Sequence, residues 1–208
     1  MKAKIKVAIQ GKKGSFHHIV AKRYFGNQLS LVTCETFDTC VKELLRNGAD
    51  LAVMAIENSI AGSIISNYAL IDQNDLKIVG EYGLSINHNF MALPGQIIDD
   101  IKEVHSHPMA LLQCKNFFQK YPSIVMVESE DTADEAFRIS KDQIKGIGAI
   151  ASQEAADIYH LDILANSIQS IKNNITRFVI IQKKGSLVSD DKINKASLKF
   201  TLDHQRGS

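Results

Sequence analysis

The chain has 208 residues, of which 45% are hydrophobic, and 24 basic against 23 acidic side chains give a formal net charge of +1. This balance gives no reason to expect nucleic acid or an acidic membrane as partner, and no apolar run approaches the ~20 residues of a membrane span. The basic N-terminus lacks a signal-peptide core. The three cysteines have no CxxC spacing, so we expect reduced thiols in the cytoplasm. No His/Cys spacing suggests zinc, and we expect neither a metal nor a cofactor.

The first quarter of the chain alternates between predicted strands and helices. Strands are predicted over 4–10, 29–35 and 51–56, and helices over 16–25 and 37–46. Ser15 is a suitable N-cap for the first helix and Gly26 ends it. The third strand is an apolar run typical of a buried parallel strand. This order predicts βαβ units in a parallel sheet.

An extended segment over 76–88 is interpreted as the first crossing between two lobes, and a second alternating set begins there. Its elements are predicted as strands over 88–93, 124–128, 148–152 and 161–165, and as helices over 109–121 and 132–140, with another helix ending at 159.

Polar residues stand at three predicted strand-to-helix junctions: Asn58-Ser59, Ser106-His107 and Asp131-Thr132. Helix N-termini present unpaired N–H groups that suit anions. Each junction alone has the pattern of an ordinary helix cap. Three of them converging with one arginine in a cleft would suit a small molecule with two carboxylates.

The segment 173–181 begins with two asparagines and runs into an apolar strand. In a strand, Thr176 and Phe178 face one side and Arg177 the other, so a site that uses all three must lie at a strand end, where the backbone bends. The guanidinium of Arg177 is a fork suited to a carboxylate. Taken by itself, this block leaves open an edge strand with a solvated arginine.

Five blocks together resemble the prephenate dehydratase family, in the right order and nearly end to end. They are GKKGSF over 11–16, ENSIAGS over 57–63, SHPMALLQC over 106–114, DTA over 131–133 and NITRF over 174–178. Two departures stand out. Lys12 and Lys13 occupy positions where the family usually has proline and an acid, and Met109 stands where it usually has glutamine.

The resemblance implies an α/β fold with two lobes, like the type II periplasmic binding proteins, with two mixed sheets and a cleft between the lobes. It implies a catalytic domain over 1–183, with lobe one about 1–80 plus 174–183 and lobe two about 81–173. A linker is expected over 184–196. Residues 197–208 resemble the first strand of a regulatory ACT domain that is truncated near its start.

The activity implied is the loss of the ring carboxylate of prephenate as carbon dioxide together with the ring hydroxyl as water, giving phenylpyruvate in L-phenylalanine biosynthesis. Thr176 would hydrogen-bond or protonate the leaving hydroxyl, and Arg177 would clamp the side-chain carboxylate. Phe178 would pack beside the ring or serve only the core, and Glu57 would orient Arg177 or be structural. Hydrogen bonds to the substrate are expected from Asn58, Ser59, Ser106, Gln113 and Thr132, and His107 is either a general acid or a cap.

The family resemblance also implies a homodimer or homotetramer, with phenylalanine as allosteric effector only where the full ACT domain is present. Two other functions stay open. One is arogenate dehydratase, which performs the same chemistry on an amino-acid side chain. The other is a non-catalytic ligand-binding module on the same scaffold, although the intact Thr-Arg-Phe block favours the enzyme.

Overall fold

The computed structural model describes residues 4–185 and the single positions 195, 198 and 200. Apart from those three positions, the predicted linker beyond residue 185 and the predicted ACT strand over 197–208 lie outside the described residues. In the part of the chain that is described, no helix has the length and apolar character needed to cross a membrane.

The described elements alternate along the chain. The strands are β1 (Ile5–Gln10), β2 (Leu29–Cys34), β3 (Leu51–Asn58), β4 (Gly62–Ser63), β5 (Leu76–Ser85), β6 (Asn89–Ala92), β7 (Glu103–Ser106), β8 (Val125–Glu128), β9 (Ile147–Ala151), β10 (Asp162–Ala165) and β11 (Ile175–Lys183). The α-helices are α1 (Phe16–Phe25), α2 (Phe37–Leu45), α3 (Ile65–Gln73), α4 (Pro108–Phe118), α5 (Thr132–Asp142) and α6 (Gln153–Tyr159).

The first sheet forms lobe one and has the strand order β2-β1-β3-β11-β5, with β4 paired to the end of β3. Strand β1 is parallel to β2 and β3, whereas β11 is antiparallel to both β3 and β5. The apolar run of β3 is buried because helix α1 covers one face of the sheet and helices α2 and α3 cover the other. Because β11 pairs with β3, the start of β11 lies beside the end of β3.

The second sheet forms lobe two and has the strand order β10-β6-β9-β7-β8. Strand β7 is parallel to β8 and β9, and β6 is antiparallel to β9 and β10. Helix α4 packs on one face and helices α5 and α6 on the other. Cys114 is fully buried in the first of these layers and is a core residue.

The chain crosses between the lobes twice, after β5 and before β11, and the two crossings lie side by side. Ile86 N–H donates to the Asn174 carbonyl across them at 2.7 Å. The predicted α/β fold with two mixed sheets is confirmed. The predicted bounds of α1 are also confirmed, with the Ser15 hydroxyl accepting from His18 N–H as the N-cap.

One local prediction was wrong. Asn58-Ser59 does not stand at a helix N-terminus, because the chain turns back as strand β4 before α3 begins at Ile65. Gly62 takes the positive φ of +83° that this reversal needs. The turn leaves the Asn58 side chain at the end of a hairpin, beside the start of β11.

Candidate active site

Thr176 lies at the start of β11, between the ends of two neighbouring strands. It pairs in register with Asn58 of β3 and with Leu84 of β5, and only 8% of its surface is exposed. A bulge in the ladder follows Arg177, where β3 contributes one extra residue. The bulge therefore lies on β3, next to the pair that Asn58 and Thr176 form.

The orientation of the Asn58 amide is fixed by the backbone of the hairpin. Its Oδ1 accepts from the N–H groups of Ile60 at 3.0 Å and Ala61 at 2.9 Å. Its Nδ2 therefore faces the other way and donates to Thr176 Oγ1 at 2.9 Å and to Asn174 Oδ1 at 2.7 Å. Because the Thr176 oxygen accepts this bond, its own O–H proton remains available to donate to another group.

The hydrogen bonds continue into lobe two. Asn174 Nδ2 donates to Gln113 Oε1 on helix α4 at 2.9 Å, and the same oxygen lies 3.1 Å from His88 Nε2. We call Asn58, Asn174 and Gln113 the amide chain. It joins the Thr176 hydroxyl in one lobe to His88 at the crossing between lobes, so two predicted substrate-binding residues, Asn58 and Gln113, are brought together with Thr176.

His88 is a site residue that the sequence analysis missed. It is 4% exposed, and its ring packs edge-on against Phe16 with 5.6 Å between centroids. Burial lowers the pKa of His88 to about 4, so the imidazole is neutral at pH 7. The interpretation of 76–88 as a crossing was wrong for most of its length, because Leu76–Ser85 is strand β5 of the first sheet. His88 lies in the short segment that follows, and a lone histidine there gave no partner.

Arg177 points away from this cluster. Its Nε and Nη2 donate to Glu81 Oε2 at 3.1 and 2.8 Å, and its Nη1 lies 3.7 Å from Glu57. Its side chain is 46% exposed. The predicted alternation of Thr176 and Arg177 is confirmed, and Glu57 borders the guanidinium, as one of its two expected roles requires. To clamp a substrate carboxylate beside Thr176, the guanidinium would have to leave Glu81.

Phe178 lies on the same side of β11 as Thr176 but belongs to the core of lobe one. It is 1% exposed and meets the ring of His17 edge-on, with 5.0 Å between centroids. Of its two expected roles, Phe178 therefore has the surroundings of a core residue and is not open to the cleft.

The other predicted hydrogen-bonding residues have local partners. The Ser59 hydroxyl accepts from Ile175 N–H at 2.9 Å and so joins the β3 hairpin to β11. Ser106 is fully buried and donates to the Ile150 carbonyl at 2.7 Å. His107 is exposed and caps α4, its Nδ1 accepting from Met109 N–H at 3.2 Å.

Thr132 is the first residue of α5, whose N-cap Asp131 accepts from Ala133 and Asp134 N–H at 2.8 and 3.0 Å. This junction borders a cavity of about 250 Å³ between the lobes. The cavity is lined by Gln10, Gly11, Lys12, Thr33, Cys34, Glu35, Glu130, Asp131 and Asp134. With four carboxylates against one ammonium, it is unsuited to a dianion, whereas the amide chain is uncharged.

The loop over 11–15 of lobe one contacts lobe two next to this cavity. The Gly14 carbonyl accepts from Ser152 Oγ at 2.6 Å, and the Lys13 carbonyl accepts from Tyr159 O–H at 2.7 Å. Lys12 Nζ lies 2.7 Å from Asp134 and 4.9 Å from the centroid of the Phe137 ring. We call these contacts of residues 11–15 with α5 and α6 the glycine-loop contact. They hold lobe two against the end of β1.

Comparisons with known proteins show which family the chain resembles. The family model for prephenate dehydratase matches residues 7–186. The chain is 40% identical to arogenate dehydratase 2 of Petunia hybrida over 99% of its own length and 52% of that protein. It is 33% identical to the bifunctional chorismate mutase/prephenate dehydratase of Buchnera aphidicola subsp. Acyrthosiphon pisum, over 95% of this chain and 52% of that one.

Among solved structures, prephenate dehydratase from Arthrobacter aurescens in complex with L-Phe superposes with a TM-score of 0.80 at 25% identity, covering 89% of this chain and 62% of that one. The chain thus spans about half the length of the curated relatives it matches.

Proposed function

The chain belongs to the prephenate dehydratase family, and from that membership and the geometry at Thr176 we propose that it catalyses the decarboxylating dehydration of prephenate to phenylpyruvate. The C–C bond to the ring carboxylate breaks and carbon dioxide leaves. The electron pair of that bond passes into the ring, which becomes aromatic as the C–O bond to the ring hydroxyl breaks. The departing oxygen takes up one proton and leaves as water.

The observation that carries this proposal is the free O–H proton of Thr176. Asn58 Nδ2 donates to its oxygen, so the hydroxyl can donate to the leaving group of a substrate in the cleft. The same hydrogen bond from Asn58 also stabilises the oxygen as it gives up proton density. Burial makes such an oriented donor worth more than it would be in water.

Arogenate is the second candidate substrate. The leaving groups are the same, and a relative 40% identical over nearly the whole chain is an arogenate dehydratase. The two molecules differ only in the side chain, which carries an ammonium in arogenate and a ketone in prephenate. The hydrogen bonds around Thr176 would act on the leaving hydroxyl that both substrates share, so they do not favour either one.

The assembly as homodimer or homotetramer, the cytoplasmic location and the response to phenylalanine stay predictions. L-Phe is bound in the Arthrobacter structure, and a response to phenylalanine is expected only where a full ACT domain is present. Gel filtration with light scattering, with and without phenylalanine, measures both the assembly and its response.

The test of the function measures turnover of prephenate and of arogenate by the purified chain at neutral pH, against a control without enzyme. We expect Thr176→Ala to lower kcat by about 10²–10⁴-fold with the fold intact by circular dichroism. Thr176→Ser is the matched control, because it keeps the hydroxyl and should retain most of the turnover. Binding of either substrate without turnover would favour the ligand-binding module instead.

A further inference from the structure

The direction of every hydrogen bond in the amide chain is determined from one end. Asn58 Oδ1 is committed to two backbone N–H groups, so Asn58 Nδ2 faces Asn174 and makes the facing atom of Asn174 its oxygen. The other atom of that amide, Asn174 Nδ2, is then a donor, and the Gln113 atom that it meets is the acceptor Oε1.

The same argument fixes the tautomer of His88. Gln113 Oε1 can only accept, so His88 Nε2, at 3.1 Å from it, must carry a proton. In the neutral ring the second nitrogen, Nδ1, then has a bare lone pair. No residue in the described part of the chain hydrogen-bonds to Nδ1, which is buried.

A buried acceptor without a partner costs about 1–3 kcal/mol. An apolar residue in this position would avoid that cost but would leave Gln113 with one donor fewer. Retaining a neutral imidazole therefore points to the Nε2–H as the group that the site needs. Gln113 Oε1 accepts from Asn174 and from His88. If the Gln113 amide rotated by about 180°, its NH₂ group would face these two donors instead.

We propose that His88 is a positioning residue: its Nε2–H is the second donor to Gln113 Oε1 and, through Gln113, holds the Asn174 amide in place beside Asn58 and Thr176. This rests on the proposed dehydratase function. His88 acts through Gln113 and does not itself touch the leaving group. Without this donor, Gln113 Oε1 is held by Asn174 alone, and the side chains of Gln113 and Asn174 lose their fixed positions beside Thr176.

Two substitutions separate the nitrogens of the ring. His88→Gln carries an amide NH₂ that reaches the position of Nε2, so it keeps the donor to Gln113. His88→Asn keeps a polar atom near Nδ1 but is too short to reach Gln113. We expect kcat of His88→Asn to fall about tenfold or more with KM little changed, and His88→Gln to recover most of it.

The matched control is His160→Gln. His160 is exposed at the end of α6, so this substitution should leave kcat unchanged. Equal loss of kcat in His88→Gln and His88→Asn would overturn the proposal, because a packing role would not distinguish them. Rescue by asparagine instead of glutamine would also overturn it, since that result would assign the function to Nδ1.

A second measurement does not depend on turnover. In NMR of the ¹⁵N-histidine-labelled protein, the His88 signals are those that disappear in His88→Gln. They should show a proton on Nε2 and a bare Nδ1 at neutral pH. Gln113→Glu should raise the pKa of that ring from about 4, because a carboxylate then faces Nε2–H. The other titratable group that acts on the ring is His107, which lowers its pKa.

A proton on Nδ1 in the wild type, or no response of the ring to Gln113→Glu, refutes the assignment. The two proposals also fail separately. A wild type that turns over neither prephenate nor arogenate refutes the dehydratase function, while the tautomer still decides whether His88 orients the amide chain.

Discussion

Two of the sets of contacts that join the lobes differ in kind. The amide chain consists of uncharged side chains whose hydrogen bonds all have a determined direction, ending at Thr176. The glycine-loop contact consists mainly of backbone carbonyls and one ion pair, between Lys12 and Asp134, whose side chains are 41% and 48% exposed. An ion pair this exposed contributes only about 0–1 kcal/mol.

This difference separates two tasks. The amide chain determines where protons lie, so its alteration should change kcat. The glycine-loop contact determines how closely the lobes approach, so its alteration should change the free energy of unfolding and the binding of substrate more than the chemical step.

The largest effect is expected from Asn58→Asp, which changes one NH₂ group into an oxygen. The new carboxylate still accepts from Ile60 and Ala61, but its second oxygen now accepts the Thr176 proton instead of donating to Thr176. With that proton occupied, we expect kcat to fall by about 10²-fold or more, measured for prephenate and arogenate alike.

Asn74→Asp is the matched control for the same chemical change. Asn74 Nδ2 donates to the Leu70 carbonyl at 2.9 Å near the end of α3, away from Thr176. It should lose stability but keep kcat. Near-normal turnover in Asn58→Asp would show that the direction of the bond to Thr176 does not matter for the reaction.

How far the sequence reaches depends on how local each feature is. The bounds of α1 follow from Ser15 and Gly26, which act within one turn. The alternation of Thr176 and Arg177 follows from strand geometry alone. The pairing of Arg177 with Glu81 and the link from Gln113 to His88 join residues 96 and 25 positions apart, and no periodicity reports such contacts.

The hairpin at Asn58 shows a different limit of prediction from sequence. A polar pair after a buried strand has the same pattern whether it caps a helix or turns a hairpin, and only the pairing of β4 with β3 decides between them. The resemblance to a family supplied Asn58, Gln113 and Thr176 as site residues. It did not supply the directions of their hydrogen bonds, which come from the backbone around them.

A smaller effect is expected where the lobes touch at Gly14. Its φ is +89°, and a Cβ there would lie 2.8 Å from the Ala155 backbone. Gly14→Ala should therefore lower the free energy of unfolding by about 3 kcal/mol, combining left-handed strain with overpacking. Urea unfolding measures it.

Gly95→Ala provides the control for strain alone, because Gly95 has a φ of +83° with open space around its Cβ position. It should lower the free energy of unfolding by about 1–2 kcal/mol. The difference between the two variants measures the contact between lobes, and equal losses would mean that α6 moves aside without cost.

The smallest effect is expected from Tyr159→Phe, which removes one hydrogen bond to the Lys13 carbonyl and should lower the free energy of unfolding by about 1 kcal/mol at pH 7. Burial is the largest cause that raises the pKa of Tyr159 to about 12, and repulsion of a phenolate by Asp131 and Asp134 contributes the rest. The folded protein therefore favours the protonated phenol.

The pH dependence of that loss tests its cause. A folded-state pKa above the unfolded value of about 10 gives stability that is fully present below pH 10 and is lost as the pH rises towards 12. The difference in unfolding free energy between wild type and Tyr159→Phe should thus shrink above pH 10, although lysines titrate in both proteins. A difference independent of pH would mean that the phenol contributes by packing alone, and the glycine-loop contact would then depend on Ser152 for its hydrogen bonding.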